Sequence, residues 1–232
     1  MTMTILSAGR GTTKYNIHIY DKKLPKNAID NHIGKNNKIL IITDSGVPKK
    51  FLDELKKNIK NNNLYFLILQ NGERSKSFIT YQKIINKLIQ YKFDRSDLLI
   101  AFGGGVVGDI TGFVASSYLR GIKYIQIPTT LLAQVDSSVG GKTAINVKEG
   151  KNLIGAFYNP HLVLISTYFL STLSEREFKS GLGEVVKYAL IGNKKLKKII
   201  EKNPIEIIQR KSSILKVIIE ESIKTKSKIV TQ

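Results

Sequence analysis

A chain of 232 residues with 42% hydrophobic side chains is long for one α/β domain, short for two, and able to bury a sizeable core. It contains no cysteine, which excludes a disulfide framework, a thiolate nucleophile and thiolate metal sites, and no apolar run reaches the roughly 18 residues of a membrane span. The net charge of +19 comes mostly from lysines scattered among Ile and Asn, with little Arg and no interleaved aromatics; nucleic acid is not the expected partner, although such a field attracts small anions.

The first residues, MTMTILSAGRGTTK, lack the charged start and apolar stretch of a signal peptide, so a cytoplasmic location is the default. Tyr15 to Tyr20 (YNIHIY) alternates and predicts a half-buried strand; His18 within it and His32 in a polar loop read as structural. Lys38 to Thr43 (KILIIT) predicts a buried strand ending at Asp44-Ser45-Gly46, and Pro48 opens a helix with Phe51, Leu52, Leu55 and Ile59 on one stripe. Leu64 to Leu69 is the next strand, followed by NGERSKS and a helix carrying Ile84, Ile85, Leu88 and Ile89.

Leu98 to Phe102 predicts another buried strand, which empties through Gly103-Gly104-Gly105 into a helix from Val106. That arrangement concentrates bare backbone N–H groups and the positive dipole end at one point, where phosphate binds. Gly103, Gly105 and Gly108 satisfy G-x-G-x-x-G, but they follow a late strand, and no acidic residue lies about 20 residues downstream to hold a ribose. Alternating strands and helices predict a Rossmann-like parallel sheet, whose ligands lie at the strands' carboxyl ends; Asp44, Glu73, Lys76 and the glycines all fall there.

Ile122 to Ile127 predicts a strand ending at Pro128-Thr129-Thr130, whose hydroxyls can cap a helix starting near Leu131, and Leu162 to Ile165 predicts the last strand. A boundary near Ser166 divides an α/β domain, 1–166, from the start of an all-helical domain, 167–232. In SGLGEVVKYALIG, Glu184 and Lys187 share a helix face. An ordinary ion pair would explain them, but Gly181 and Gly183 inside the helix argue for a close approach. Past Pro204, one Lys-rich amphipathic helix is expected to run nearly to the end.

GGGVVGD, IPTTLLAQVDSSVGGKTAIN and GKNLIGAFYNP, followed by FLSTL and SGLGEVVKYALI, resemble the 3-dehydroquinate synthase family, most tightly from Gly103 to Ile191. The resemblance implies an NAD-dependent lyase of the shikimate pathway, in aromatic amino acid biosynthesis. It converts 3-deoxy-arabino-heptulosonate 7-phosphate to 3-dehydroquinate and phosphate by transient oxidation, elimination, re-reduction and aldol closure. It implies NAD contacts at Asp44, at Asn71, Gly72, Glu73, Arg74, Ser75 and Lys76, and at Gly105, Val106, Val107, Gly108 and Asp109, the last placed in the first helical turn. Further NAD contacts are implied at Thr129, Thr130, Lys142, Lys151, Phe169, Leu170, Ser171 and Thr172.

For the sugar-phosphate substrate the resemblance implies Asp136, Lys142, Lys151, Asn152 and Lys187, with Arg120 reaching the neighbouring subunit's substrate in a homodimer. A divalent metal, zinc or cobalt, would take Glu184 and two histidines that lie in the family beyond this chain's last residue; His18, His32 and His161 match neither. The residues present are therefore expected to hold the NAD half of the site and part of the substrate half, with full turnover needing a longer chain. The family usually has Asn at Asp44 and Asp at Asn71, which alters the local charge. The competing readings are a related sugar-phosphate cyclase, a metal-dependent polyol dehydrogenase, and a nucleotide-binding remnant without catalysis.

Overall fold

The structure, a computed structural model, describes residues 2–61 and 63–230. It opens with an antiparallel pair, β1 (Met3–Ala8) and β2 (Tyr15–Tyr20), of which the sequence pattern singles out only the second. The expected alternation follows: β3 (Ile39–Asp44), α1 (Lys49–Asn58), β4 (Leu64–Leu69), α2 (Phe78–Gln90), β5 (Leu98–Gly103), α3 (Gly105–Ser117) and β6 (Lys123–Pro128). A separate antiparallel hairpin, β7 (Lys142–Val147) and β8 (Gly150–Phe157), precedes the last strand, β9 (Leu162–Ser166). The remaining elements are helical: α4 (Glu175–Leu190), α5 (Lys194–Lys202), α6 (Pro204–Ile208) and α7 (Ser212–Val230).

The seven-stranded sheet runs β1-β2-β9-β6-β5-β3-β4, and every pairing except β1 with β2 is parallel. From β3 the chain first steps outward to β4, then returns to lay β5 on the other side of β3. This reversal is a topological switch point, and the crevice beyond the carboxyl ends of β3 and β5 is where such a sheet takes its ligand.

Both faces are covered, which is why the strands read as continuous apolar runs. Leu40, Ile42, Leu99 and Ala101 pack with Ile84, Leu88, Ile110 and Val114 of α2 and α3. Their neighbours Ile39, Ile41, Leu98 and Ile100 point the other way, onto Phe51 and Leu55 of α1. The C-terminal helices close over β2 and β9, where Ile17, Ile19, Val163 and Ile165 meet Val185, Leu215, Ile218 and Ile219.

The single helix expected past Pro204 is in fact two. α6 ends at Ile208, and Arg210, at φ 56°, turns the chain before α7 begins. The guanidinium of Arg210 fixes the corner, donating to the Leu170 carbonyl at 3.0 Å and lying 4.7 Å from the centre of the Phe178 ring. Such a break has no periodicity signature, because the apolar spacing continues through it.

Candidate functional site

At the switch point lies a cavity of about 280 Å³, lined by Asp44, Gly46, Asn71 and Gly72, by Gly104, Gly105, Val106, Thr129 and Thr130, and by Phe169, Thr172 and Glu177. α3 starts here with Gly104 as N-cap, and no side chain caps its first turn, which leaves backbone donors and the dipole for a ligand. A Cβ at Gly103 would lie 2.6 Å from Val107 Cγ2, so this turn admits only glycine. Asp109 is not in that first turn, as expected from the sequence, because the helix begins at Gly105 and places it in the second. Thr130 caps the next helix, its Oγ1 accepting the Ala133 N–H at 3.2 Å.

A second cavity, about 450 Å³, is lined by Asp109, Asp136, Ser137, Lys142, Asn152 and Lys226, among others. Gly105, in the lining of the first cavity, packs against Ser137, in the lining of the second: an added Cβ on Gly105 would come within 3.1 Å of Ser137 Oγ. Asp136 sits in a π turn, Ala133–Ser137, a geometry common at functional sites. Its Oδ1 accepts from the Tyr188 hydroxyl at 2.6 Å and from Lys226 Nζ at 2.5 Å, and Lys226 also reaches the Asp136 carbonyl at 2.8 Å. Burial pushes the Asp136 carboxyl upward, but these bonds and the charges of Lys226 and Lys187 outweigh it and hold it below the ordinary range. Tyr188 moves the opposite way, raised by burial, Asp136 and Glu184, so it stays a neutral donor.

Between the cavities, Lys76 is buried and donates to both Asp109 and Asn152. Burial raises the Asp109 carboxyl against the pull of this lysine. The hairpin is tied to the same segment: Asn146 donates its backbone N–H to the Lys76 carbonyl at 2.8 Å and its side-chain amide to Glu73 at 2.7 Å. Asn152, at φ 59°, donates its own N–H back to Asn146 Oδ1 at 2.9 Å. Together these groups form an ionised acceptor, Asp136, among cations, suited to a small anion that carries hydroxyls.

α4 lies beside this cavity because Gly181 lets it approach closely: an added Cβ there would be 2.6 Å from Leu131 Cβ. Gly183 faces open space, so only one of the two glycines has the packing role expected of both. Glu184 forms an ion pair with Lys187 through its Oε1, which is buried. Such an atom suits a metal ligand. Among the described residues, however, no three His, Cys, Asp or Glu side chains converge to hold an ion. His32 and His161 face each other with ring centroids 5.5 Å apart, at the amino end of β9 and away from the cleft. A catalytic zinc needs about three protein ligands, so these residues do not by themselves fit one.

Of the other expected cofactor contacts, Gly108 lies beside Gln126 and Ser137, Val107 and Leu170 are buried in the core, and Ser75 bonds the Gln70 carbonyl. Ser171 bonds the Tyr168 carbonyl at 2.8 Å, while Arg74 and Lys151 are exposed and line neither cavity. Arg120 stands just past the far end of α3, outside both cavities, at φ 64°. The sequence reading misses Glu177 and Lys226. Nothing local distinguishes Lys226 from the lysines around it; its partner Asp136 is 90 residues away.

Two family models match consecutive parts of the chain: 3-dehydroquinate synthase N-terminal over residues 66–180 and 3-dehydroquinate synthase C-terminal over 181–232. A curated 3-dehydroquinate synthase of Dictyoglomus thermophilum is 50% identical over 221 residues, which is 94% of this chain and 60% of that one. The chain thus spans about 60% of the length of this relative. Among solved structures, 2-deoxy-scyllo-inosose synthase complexed with carbaglucose-6-phosphate, NAD+ and Co2+ superposes with a TM-score of 0.86 at 25% identity, over 99% of this chain and 63% of that one. A 2-epi-5-epi-valiolone synthase from Streptomyces hygroscopicus, with NAD+ and Zn2+ bound, gives 0.83 at 26% identity, over 95% and 62%.

Proposed function

The chain belongs to the 3-dehydroquinate synthase family, and from that premise we propose that it carries the NAD-binding half and part of the substrate half of an enzyme converting 3-deoxy-arabino-heptulosonate 7-phosphate to 3-dehydroquinate and phosphate. The observation that carries this reading is the packing of Gly105 on Ser137, which sets an uncapped helix start in the lining of one cavity next to the lining of another that holds two lysines. The chemistry NAD supplies when bound is reversible hydride acceptance, which acidifies the C–H beside the oxidised carbon so that phosphate can leave. The chain's own residues bind and orient. Backbone donors of Gly105 and Val106 and the hydroxyls of Thr129 and Thr130 face the cofactor's cavity. Lys142 and Lys226 act as point charges for the substrate's anionic groups, and Asp136, kept ionised, accepts from its hydroxyls.

Glu184 is the chain's own candidate ligand for a zinc or cobalt ion, and no step is derived through a metal that the described residues do not complete. The same reading includes a homodimer in which Arg120, which lines neither cavity of its own chain, serves the partner's site. We assign the protein to the cytoplasm; among the described residues no helix is long and apolar enough to cross a membrane. A related cyclase acting on another sugar phosphate is the second reading, favoured by the superposed structures but at half the sequence identity of the curated relative. Calorimetry decides between them. NAD+ is expected to bind, heptulosonate phosphate to bind in its presence, and Lys142→Met to weaken the sugar phosphate by about 10- to 100-fold. No binding of NAD+, or preference for a different sugar phosphate, would overturn the assignment.

A further inference from the structure

Tyr188 belongs to the core by its packing and to the site by its contacts. Its side chain is only 2% exposed, and it packs in the cluster that holds Leu131, Val135 and Val185, so the protein fixes the ring on several sides. From that anchorage it reaches two polar residues. Its hydroxyl donates to Asp136 Oδ1 at 2.6 Å, across 52 residues of chain. The ammonium of Lys187 stands over its ring, 5.0 Å from the centroid, within the range of a cation–π contact. Tyr188 itself lines neither cavity.

The two residues it holds are of opposite charge, and both are expected to meet the substrate. Both donors to the Asp136 carboxylate, Tyr188 and Lys226, take Oδ1, which leaves Oδ2 for a ligand in the cavity that Asp136 lines. The donors differ in kind. Lys226 brings charge on a flexible four-carbon stem, whereas the tyrosine hydroxyl sits at the end of a rigid ring and sets direction. Lys187 is 54% exposed and is paired along its own helix with Glu184, a kind of bond that fixes a lysine weakly; the ring gives it a second, immobile neighbour. We propose that Tyr188 is a positioning residue for the sugar phosphate: its hydroxyl turns Asp136 Oδ2 toward the sugar's hydroxyls, and its ring holds the Lys187 ammonium for an anionic group. The inference rests on the reading of this cavity as the sugar-phosphate site.

The test separates the hydroxyl from the ring, on the whole chain with NAD+ present. Calorimetry reads heptulosonate phosphate, and a phosphorus NMR titration reads inorganic phosphate, which carries no sugar hydroxyls. Tyr188→Phe keeps the ring and its packing, so the sugar phosphate should weaken by about tenfold while phosphate changes by less than about twofold. Tyr188→Leu removes the ring as well, and phosphate should then weaken by about two- to fivefold. Lys187→Met reads that second contact without disturbing the core: it should weaken phosphate, and Tyr188→Leu added to it should weaken phosphate no further. Thermal midpoints verify that the variants are folded. A residue that only fills the core would give Tyr188→Phe a lower midpoint with both affinities kept, or both lowered alike; either result would overturn the inference while the reading of the cavity stands. Unchanged phosphate binding in Lys187→Met would overturn the part assigned to the ring. A parent chain that binds neither anion would instead overturn the reading of the cavity.

Discussion

Replacing Gly181 by alanine puts a Cβ 2.6 Å from Leu131 Cβ and 2.7 Å from the Leu132 backbone nitrogen. Neither neighbour is the end of a flexible side chain, so α4 or the 131–132 segment must move. Overpacking of this kind costs about 1–3 kcal/mol, of which the better helix propensity of alanine returns about 1. The expected net loss is up to about 2 kcal/mol, or a few degrees in Tm for a chain of this length. Gly183, one residue before Glu184 on the same helix, is the internal control: a Cβ there meets nothing within 4 Å. Gly183→Ala should therefore stabilise by about 0.5–1 kcal/mol through propensity alone. Urea and thermal unfolding followed by far-UV circular dichroism measure both. The opposite signs are the signature. Equal shifts in the same direction would mean that α4 does not press on Leu131, and the placement of α4 that brings Tyr188 to Asp136 would lose its support.

Two further predictions concern pH. Lys226→Met removes the 2.5 Å bond to Asp136 Oδ1 and the 2.8 Å bond to its carbonyl, so burial prevails and the Asp136 pKa rises, as a carboxyl-carbon NMR titration would read directly. Because the native value is depressed, ionised Asp136 contributes stability above the unfolded carboxylate range near pH 4, and this is lost as pH falls through the native value. With the carboxylate 31% exposed, the variant should lose about 1 kcal/mol near neutral pH and less in acid; an equal loss at both would refute the linkage. His18, His32 and His161 are all lowered, chiefly by burial, with Lys123 acting on His32 and His161 and His32 acting on the other two. The unfolded chain binds these protons more readily, so stability should fall as pH drops from about 6.5 through the native values, and no further below them. His32→Gln should flatten that slope in urea midpoints; an unchanged slope counts against the cluster.

The inner strands were legible because they are buried on both faces, and KILIIT gives β3 to within one residue at each end; β4 lies at the sheet's other edge with Ile68 exposed, but its unbroken apolar run LYFLIL marks it residue for residue. β1 was not, since MTILSA lies at the edge with Met3 and Ile5 half exposed, and its pairing with β2 is what makes it a strand. The hairpin was hidden for a related reason. KTAINV and GKNLIGAF carry Lys142 and Asn152, polar residues that line the cavity, and Gly155 is there because a Cβ would lie 2.0 Å from the Thr143 carbonyl oxygen. Within the site, the glycine turn announced itself locally. Glu177 and Lys226 did not, because each becomes a site residue only through partners that tertiary folding brings to it, Asp44 for one and Asp136 for the other.

The π turn at Ala133–Ser137 has a consequence for how this chain can change. A π turn is an α-helix carrying one surplus residue. Deleting any one of its residues other than Asp136 would let the segment relax into regular helix between the same end points, and would swing the carboxylate around the axis by about 100°. The hydrogen bonds from Tyr188 and Lys226 would be gone, and where Gln134 or Val135 is the residue lost, a fully buried side chain goes with it.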